Sequence, residues 1–146
     1  MYRKTVIGIY LILLASQYGY AEEGGPLTRP DGSAITFYLD KKGGRHLLVL
    51  MQGSDCNSVV HSKVINDRFA TVLDDADVLT VEKYGLTRAV PWNGSGDSPA
   101  CPASYYEHDS PQQRADDYLR VISWLDDQFH YDHITLLGGS EGALVA

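Results

Sequence analysis

Apolar residues along this chain alternate between short β-favouring runs and longer stretches with helical spacing. Short runs predict strands at residues 35–39, 47–51, 78–81 and 134–137. The second run is apolar at all five positions, which is typical of a strand buried on both faces. Strands that alternate with helices indicate parallel pairing, so the expected fold class is α/β, a mostly parallel sheet with helices on both faces.

Two stretches predict helices between these strands. Residues 59–74 fit an amphipathic helix moderately well. The second helix has stronger signals, because Ser110 is an N-cap, Pro111 takes the first helical position and Gln113 completes a capping box. Apolar residues then recur along one face of this helix: Ala115, Tyr118, Leu119, Ile122, Leu125 and Phe129. The polar loop that precedes it is too long for a plain connector, which indicates a functional role.

The last predicted strand leads directly into the sequence Gly-Gly-Ser-Glu-Gly at residues 138–142, after which a helix can begin. A sharp turn between strand and helix holds a serine, here Ser140, exposed in a strained backbone where a base can activate it. Gly138 and Gly142 leave out side chains that would collide across the turn. The helix start aims free N–H groups at a developing oxyanion. A serine in a purely structural turn is the alternative, since the pattern alone is weak.

Residues 1–21 have the pattern of a secretory signal peptide. Arg3 and Lys4 form a positive start, residues 6–15 form an apolar core, and small residues allow cleavage after Ala21. An uncleaved membrane anchor is the alternative, but the apolar core is shorter than the roughly 20 residues that span a bilayer. We therefore expect a periplasmic or secreted protein with no stable membrane span after cleavage.

The remaining residues, 22–146, are enough for one small domain. They carry 10 Lys and Arg against 19 Asp and Glu, a formal charge of −9, which argues against a nucleic-acid partner. Cys56 and Cys101 are the two cysteines, and both fall in loops at the predicted carboxyl edge of the sheet. In an oxidising compartment this favours a disulfide between them over two free thiols. No cluster has metal-ligand spacing, so we expect no metal and no cofactor.

In their order and spacing, these parts resemble the amino-terminal half of an α/β-hydrolase. The matching segments are LLVLMQGSD, residues 59–74, VLTVEKYGL, SPQQRADDYLRVISWLDDQF and HITLLGGSEGA. The resemblance implies that Ser140 is the nucleophile and that the backbone N–H of Glu141 is one oxyanion donor. It implies that Ser54, in the dipeptide Gly53-Ser54, supplies the other donor. Gln52 stands where many members of the family have histidine.

In α/β-hydrolases the catalytic acid and histidine follow the serine in sequence. The resemblance therefore implies that both lie beyond Ala146, that residues 22–146 are the amino-terminal portion of the domain, and that the sheet is incomplete at its carboxyl end. A fragment without its base is expected to be inactive. Five histidines precede Ser140 and are interpreted as loop or strand-end residues: His46, His61, His108, His130 and His133.

The function expected from these observations is that of an exported serine hydrolase, of the esterase or lipase type, that cleaves a carboxylic ester through an acyl-enzyme on Ser140. A serine peptidase of the aminopeptidase or prolyl-oligopeptidase-like branch is an alternative, because a Ser-Glu-Gly turn is compatible with that branch too. The partner would be a small-molecule ester or a peptide substrate. A non-catalytic exported α/β domain that binds a ligand is the alternative from a different class.

Overall fold

The computed structural model describes residues 22–23, 27–92 and 101–146. The predicted signal peptide, residues 1–21, lies outside the described residues. One sheet is formed by five strands: β1 Glu22–Glu23, β2 Phe37–Asp40, β3 His46–Met51, β4 Asp77–Val81 and β5 His133–Gly138. The α-helices of the described part are α1 Ala103–His108, α2 Pro111–Phe129 and α3 Gly142–Val145. The four strands predicted from the apolar runs are confirmed, each within about two residues at either end.

The sheet is mixed, so the predicted mostly parallel sheet is wrong. Its order is β1-β2-β4-β3-β5; β3 pairs in parallel with β4 and β5, whereas β2 pairs antiparallel with both β1 and β4. The reason lies in the connection between β2 and β3, which consists of residues 41–45 only. A parallel crossover needs about a dozen residues or more. A turn of this length therefore reverses the chain, and β3 runs in the direction opposite to β2.

Helices do not cover both faces of the sheet, which is the second correction to the predicted fold class. Helix α2 covers one face, where Tyr118, Val121 and Leu125 pack against side chains of β2, β3 and β4. The opposite face is covered by residues 59–71, which form short 3₁₀ and π turns in place of the predicted helix at 59–74. Val59 and Ile65 are the buried anchors of this irregular segment.

Helix α2 begins as the sequence predicts. The hydroxyl of Ser110 accepts a hydrogen bond from the backbone N–H of Gln113 at 3.2 Å, and Pro111 follows the cap. The Gln113 side chain does not complete the capping box, because its amide donates to Asp117 at 2.5 Å. The buried face is also rotated from the predicted stripe, since Val121 is fully buried and Leu119 is 66% exposed.

Strand β5 lies at the edge of the sheet and pairs with β3 along its whole length. Ile134 and Leu136 are 41% and 43% exposed although they lie on the face that α2 covers elsewhere. The carboxyl ends of β3, β4 and β5 meet at one edge of the sheet because the three strands run in the same direction. In the part of the chain that the structure describes, no helix is long and apolar enough to cross a bilayer.

Candidate active site

Ser140 lies at the tip of the turn between β5 and α3. Its φ is +55°, in the left-handed region that residues with a side chain rarely adopt, and its side chain is exposed. Holding a non-glycine residue in this region costs about 1–3 kcal/mol, and such strain clusters at functional sites. The structure therefore has an exposed serine in strained backbone at the turn between β5 and α3.

Close backbone packing explains the glycines on either side of Ser140. A Cβ added at Gly138 would lie 2.2 Å from the carbonyl oxygen of Gly142. A Cβ added at Gly142 would lie 2.2 Å from the carbonyl oxygen of Met51, the last residue of β3. The turn is thus pressed against itself and against the end of the neighbouring strand, with no room for a side chain at either position.

The loop that follows β3 lies against Ser140. A Cβ added at Gly53 would be 3.2 Å from the Ser140 Cβ and 3.7 Å from its Oγ. Among the described residues, neither the backbone N–H of Glu141 nor that of Ser54 donates to a protein acceptor. The structure therefore brings the predicted donor residues Gly53, Ser54 and Glu141 to the same edge as Ser140, and the two N–H groups have no acceptor among the described residues.

Two buried charged residues at the end of β4 hold this loop. The carboxylate of Glu82 accepts hydrogen bonds from the Ser58 hydroxyl, from the Val59 backbone N–H at 3.1 Å and from the Tyr38 hydroxyl at 3.1 Å. Burial raises the pKa of Glu82, and these donors partly oppose that rise. The loop segment after β3 is consequently fixed to β4 by side-chain contacts in a region without regular secondary structure.

Lys83 holds the same loop from the next position. Its ammonium donates to the carboxylate of Asp55 at 2.9 Å and to the Asp55 backbone carbonyl. Burial lowers the pKa of Lys83, while Asp55 opposes that shift. Asp55 in turn accepts from the Gln52 side-chain amide at 2.8 Å, so the lysine and the loop form one network.

Arg114, in the first turn of α2, joins the two loops of the site. Its guanidinium donates to the carboxylate of Glu141 at 2.9 Å and also to the backbone carbonyl of Gln52. Only 3% of Arg114 is exposed, whereas 28% of the Glu141 side chain is. The residue after Ser140 and the residue before Gly53 are therefore bonded to the same side chain.

The predicted disulfide between Cys56 and Cys101 is confirmed, with Cα atoms 5.9 Å apart. It joins the loop after β3 to the segment that leads into α1, at the rim of the same edge. Disulfides form and persist in oxidising compartments, in keeping with an exported protein.

The contacts of four of the five histidines place them in the fold, and His61 is the last residue of the 3₁₀ turn Val59–His61. His46 and His133 lie at the amino-terminal ends of β3 and β5, opposite the site, and His46 Nε2 lies 2.8 Å from the Thr135 hydroxyl. His108 packs on the Tyr84 ring with centroids 4.6 Å apart. His130 is the left-handed C-cap of α2. Within the described ranges, no histidine hydrogen-bonds to the Ser140 hydroxyl.

Sequence reasoning missed Glu82, Lys83 and Arg114. Glu82 and Lys83 carry a recognisable signal, because two adjacent charges directly after a buried strand fall at the carboxyl edge of a sheet. Arg114 lies four residues before Tyr118 and seven before Val121, on the buried face of α2. A charge on the apolar face of a helix needs a buried partner, so this position could have been identified from spacing.

Comparisons with known proteins do not identify the chain: no family model, no curated protein and no solved structure matches it. The resemblance to α/β-hydrolases consequently depends on the residues of the chain itself. Within the residues that the structure describes, no group of three or more His, Cys, Asp or Glu side chains is arranged to hold a metal ion.

Proposed function

We propose that this protein is an exported serine hydrolase that cleaves carboxylic esters through an acyl-enzyme on Ser140. The observation that carries the proposal is the left-handed backbone of Ser140, at φ +55°, on an exposed turn between strand and helix. Backbone strain of this kind needs support from its surroundings. Gly138 and Gly142 provide that support through contacts that exclude even a Cβ.

In the proposed reaction the Ser140 Oγ attacks the ester carbonyl carbon and its proton passes to a base. The carbonyl oxygen becomes an oxyanion that accepts hydrogen bonds from the backbone N–H groups of Glu141 and Ser54. Collapse of this intermediate breaks the bond to the alcohol, which leaves with a proton and yields the acyl-enzyme. Water then attacks the acyl carbon and releases the acid, which restores the Ser140 hydroxyl.

The base in this proposal is a histidine that follows Ser140 in sequence, as the resemblance to α/β-hydrolases implies. None of the five histidines of the described residues hydrogen-bonds to the Ser140 hydroxyl. His46 and His133 lie at the opposite edge of the sheet. His108 ends α1 and packs on Tyr84, His130 is the C-cap of α2, and His61 ends a 3₁₀ turn. Experiments on catalysis therefore use the gene product at its native length.

Labelling with a fluorophosphonate probe tests this proposal directly, because the probe phosphonylates an activated serine. We expect one adduct per molecule, located on Ser140 by peptide mass analysis. The Ser140→Ala variant should show no adduct and should lose several powers of ten in turnover, since a nucleophile and its base act as a unit. Its fold should persist, because no other side chain hydrogen-bonds to the Ser140 hydroxyl in the described residues.

Ser123→Ala is the matched control, since Ser123 is an exposed serine on α2. This variant should be labelled and should turn over substrate like the native protein. A folded native protein that takes up no probe, or that is labelled at another residue, would contradict the proposal. Paired ester and amide substrates with the same acyl group distinguish an esterase from the peptidase alternative.

A further inference from the structure

We infer that Arg114 is a positioning residue for the oxyanion site: its guanidinium fixes the turn after β5 to the loop after β3. The inference rests on the proposed function, because those two segments carry the proposed oxyanion donors. Neither segment contains Arg114, which comes from α2 on the helix-covered face of the sheet.

The geometry of the contact supports this role. One N–H of Arg114 bonds to Glu141, whose backbone N–H is the first proposed donor. Another N–H bonds to the carbonyl of Gln52, two residues before Ser54, whose N–H is the second. A guanidinium is a rigid planar fork, so bonds from two of its nitrogens fix the separation of their acceptors.

Burial makes this contact more than a surface ion pair. Arg114 is 3% exposed and lies in the first turn of a helix of 19 residues, so its backbone is held by regular hydrogen bonding. Burying a guanidinium is costly unless its donors are bonded. The acceptors that satisfy Arg114 belong to the two segments that meet at Ser140. Moving these segments apart would leave the buried guanidinium without an acceptor, so the contact opposes their separation.

Catalysis is sensitive to such a separation because the donors act on the transition state. A shift of about 1 Å in a catalytic group can lower the rate about a hundredfold, and loss of one oxyanion donor costs about 10²–10³ in kcat. An arginine that only stabilises the fold would change the melting temperature and leave kcat unchanged in the folded protein.

The test compares substitutions at Arg114 in the gene product at its native length, assayed well below each melting temperature. Arg114→Gln should lower kcat by about 10²-fold with little change in KM. The displaced N–H donors bind the oxyanion of the transition state, and they contribute little to binding of the substrate before reaction. Arg114→Lys keeps the charge but reaches one acceptor, so its kcat should fall by about tenfold. The rate of phosphonylation by the fluorophosphonate probe should also fall more in Arg114→Gln than in Arg114→Lys.

Arg29→Gln is the matched control. Arg29 forms an ion pair at 2.7 Å with Asp117, which lies on α2 as Arg114 does. The side chains of Arg29 and Asp117 are only 6% and 4% exposed. This variant also breaks a buried ion pair to α2, so it should lower the melting temperature while kcat stays at the native value. If Arg114→Gln does not fold, the comparison of Arg114→Lys with Arg29→Gln decides the question.

The outcomes separate this inference from the proposed function. A loss of kcat at Arg114 beyond that of Arg29→Gln, at unchanged KM, supports the positioning role. Arg114 variants that melt earlier but keep native kcat overturn the positioning role and leave Ser140 as the proposed nucleophile. Native turnover in Ser140→Ala, or no turnover and no labelling in the native protein, overturns the proposed function and this inference with it.

Discussion

Replacing Gly142 with alanine should destabilise the turn that carries Ser140, although alanine is the better helix former. The added Cβ would lie 2.2 Å from the Met51 carbonyl oxygen, 2.7 Å from the Met51 carbonyl carbon and 2.8 Å from the Gln52 carbonyl oxygen. These are backbone atoms at the end of β3, whose apolar residues are fully buried. The neighbouring strand therefore cannot move aside as a flexible side chain would.

The magnitude follows from the displacement that relieves this overlap. The turn would have to move by about 1 Å to restore ordinary contact distances. Overpacking of this kind typically costs about 1–3 kcal/mol, and we expect about 3 kcal/mol or more here because rigid backbone is on both sides. Alanine would regain at most about 1 kcal/mol through its helix propensity. The net loss should be visible as a fall in the melting temperature of roughly 10 °C.

Gly139→Ala is the matched control within the same turn. A Cβ there would meet only the Phe69 ring, at 3.5 and 3.7 Å, which is ordinary van der Waals contact. The backbone of Gly139 has no positive φ, so its free energy of unfolding should change by less than about 1 kcal/mol. Thermal unfolding followed by circular dichroism compares the two variants. Equal melting temperatures would refute the argument that contact with β3 requires Gly142.

Three further predictions follow from the cysteines, the amino terminus and the buried carboxyl group. Replacing Cys56 and Cys101 together with alanine should lower the free energy of unfolding by up to about 4 kcal/mol, the entropic value for a loop of 45 residues; an unchanged urea midpoint would contradict it, and thiol counting on the native protein should find none free. Intact-mass analysis of exported protein should show cleavage after Ala21, whereas an amino terminus at Met1 would rule out the signal peptide. Burial raises the pKa of Glu82 above its ordinary value of 4.5, so its contribution to stability is present below pH 4.5 and is lost as the pH rises through the raised pKa. Urea unfolding of Glu82→Gln between pH 4 and 8 should therefore show a smaller loss of stability with rising pH than the native protein, and parallel profiles would count against this reasoning.

Local signals in the sequence were sufficient wherever neighbours along the chain decide the structure. The cap at Ser110 and Pro111 correctly placed the start of α2, because capping involves residues within one turn. The continuous apolar run at residues 47–51 correctly predicted β3 as a buried interior strand of the sheet. The glycine spacing around Ser140 correctly predicted a sharp turn between strand and helix, because the steric limits of that turn are local.

The covering of the second face of the sheet depends on longer-range packing. Apolar spacing at residues 59–74 predicted a helix, yet this segment needs only a few anchors such as Val59 and Ile65 to cover its face of the sheet. Short 3₁₀ and π turns supply those anchors. The antiparallel pairing of β2 had a local signal in the short turn before β3, which the general pattern of alternating strands and helices outweighed.

By itself, the sequence determined four of the five described strands, the start of α2, the pairing of Cys56 with Cys101 and the sharp turn at Ser140, because each depends on spacing or on residue type. Only the tertiary structure decided that irregular turns cover the second face of the sheet and that Arg114 joins Glu141 to Gln52. Arg114 and Glu141 are 27 residues apart, and Arg114 and Gln52 are 62 apart. No local rule pairs side chains at such separations; they meet because packing of α2 on the sheet buries the guanidinium, which must then find its acceptors where the ends of β3 and β5 converge.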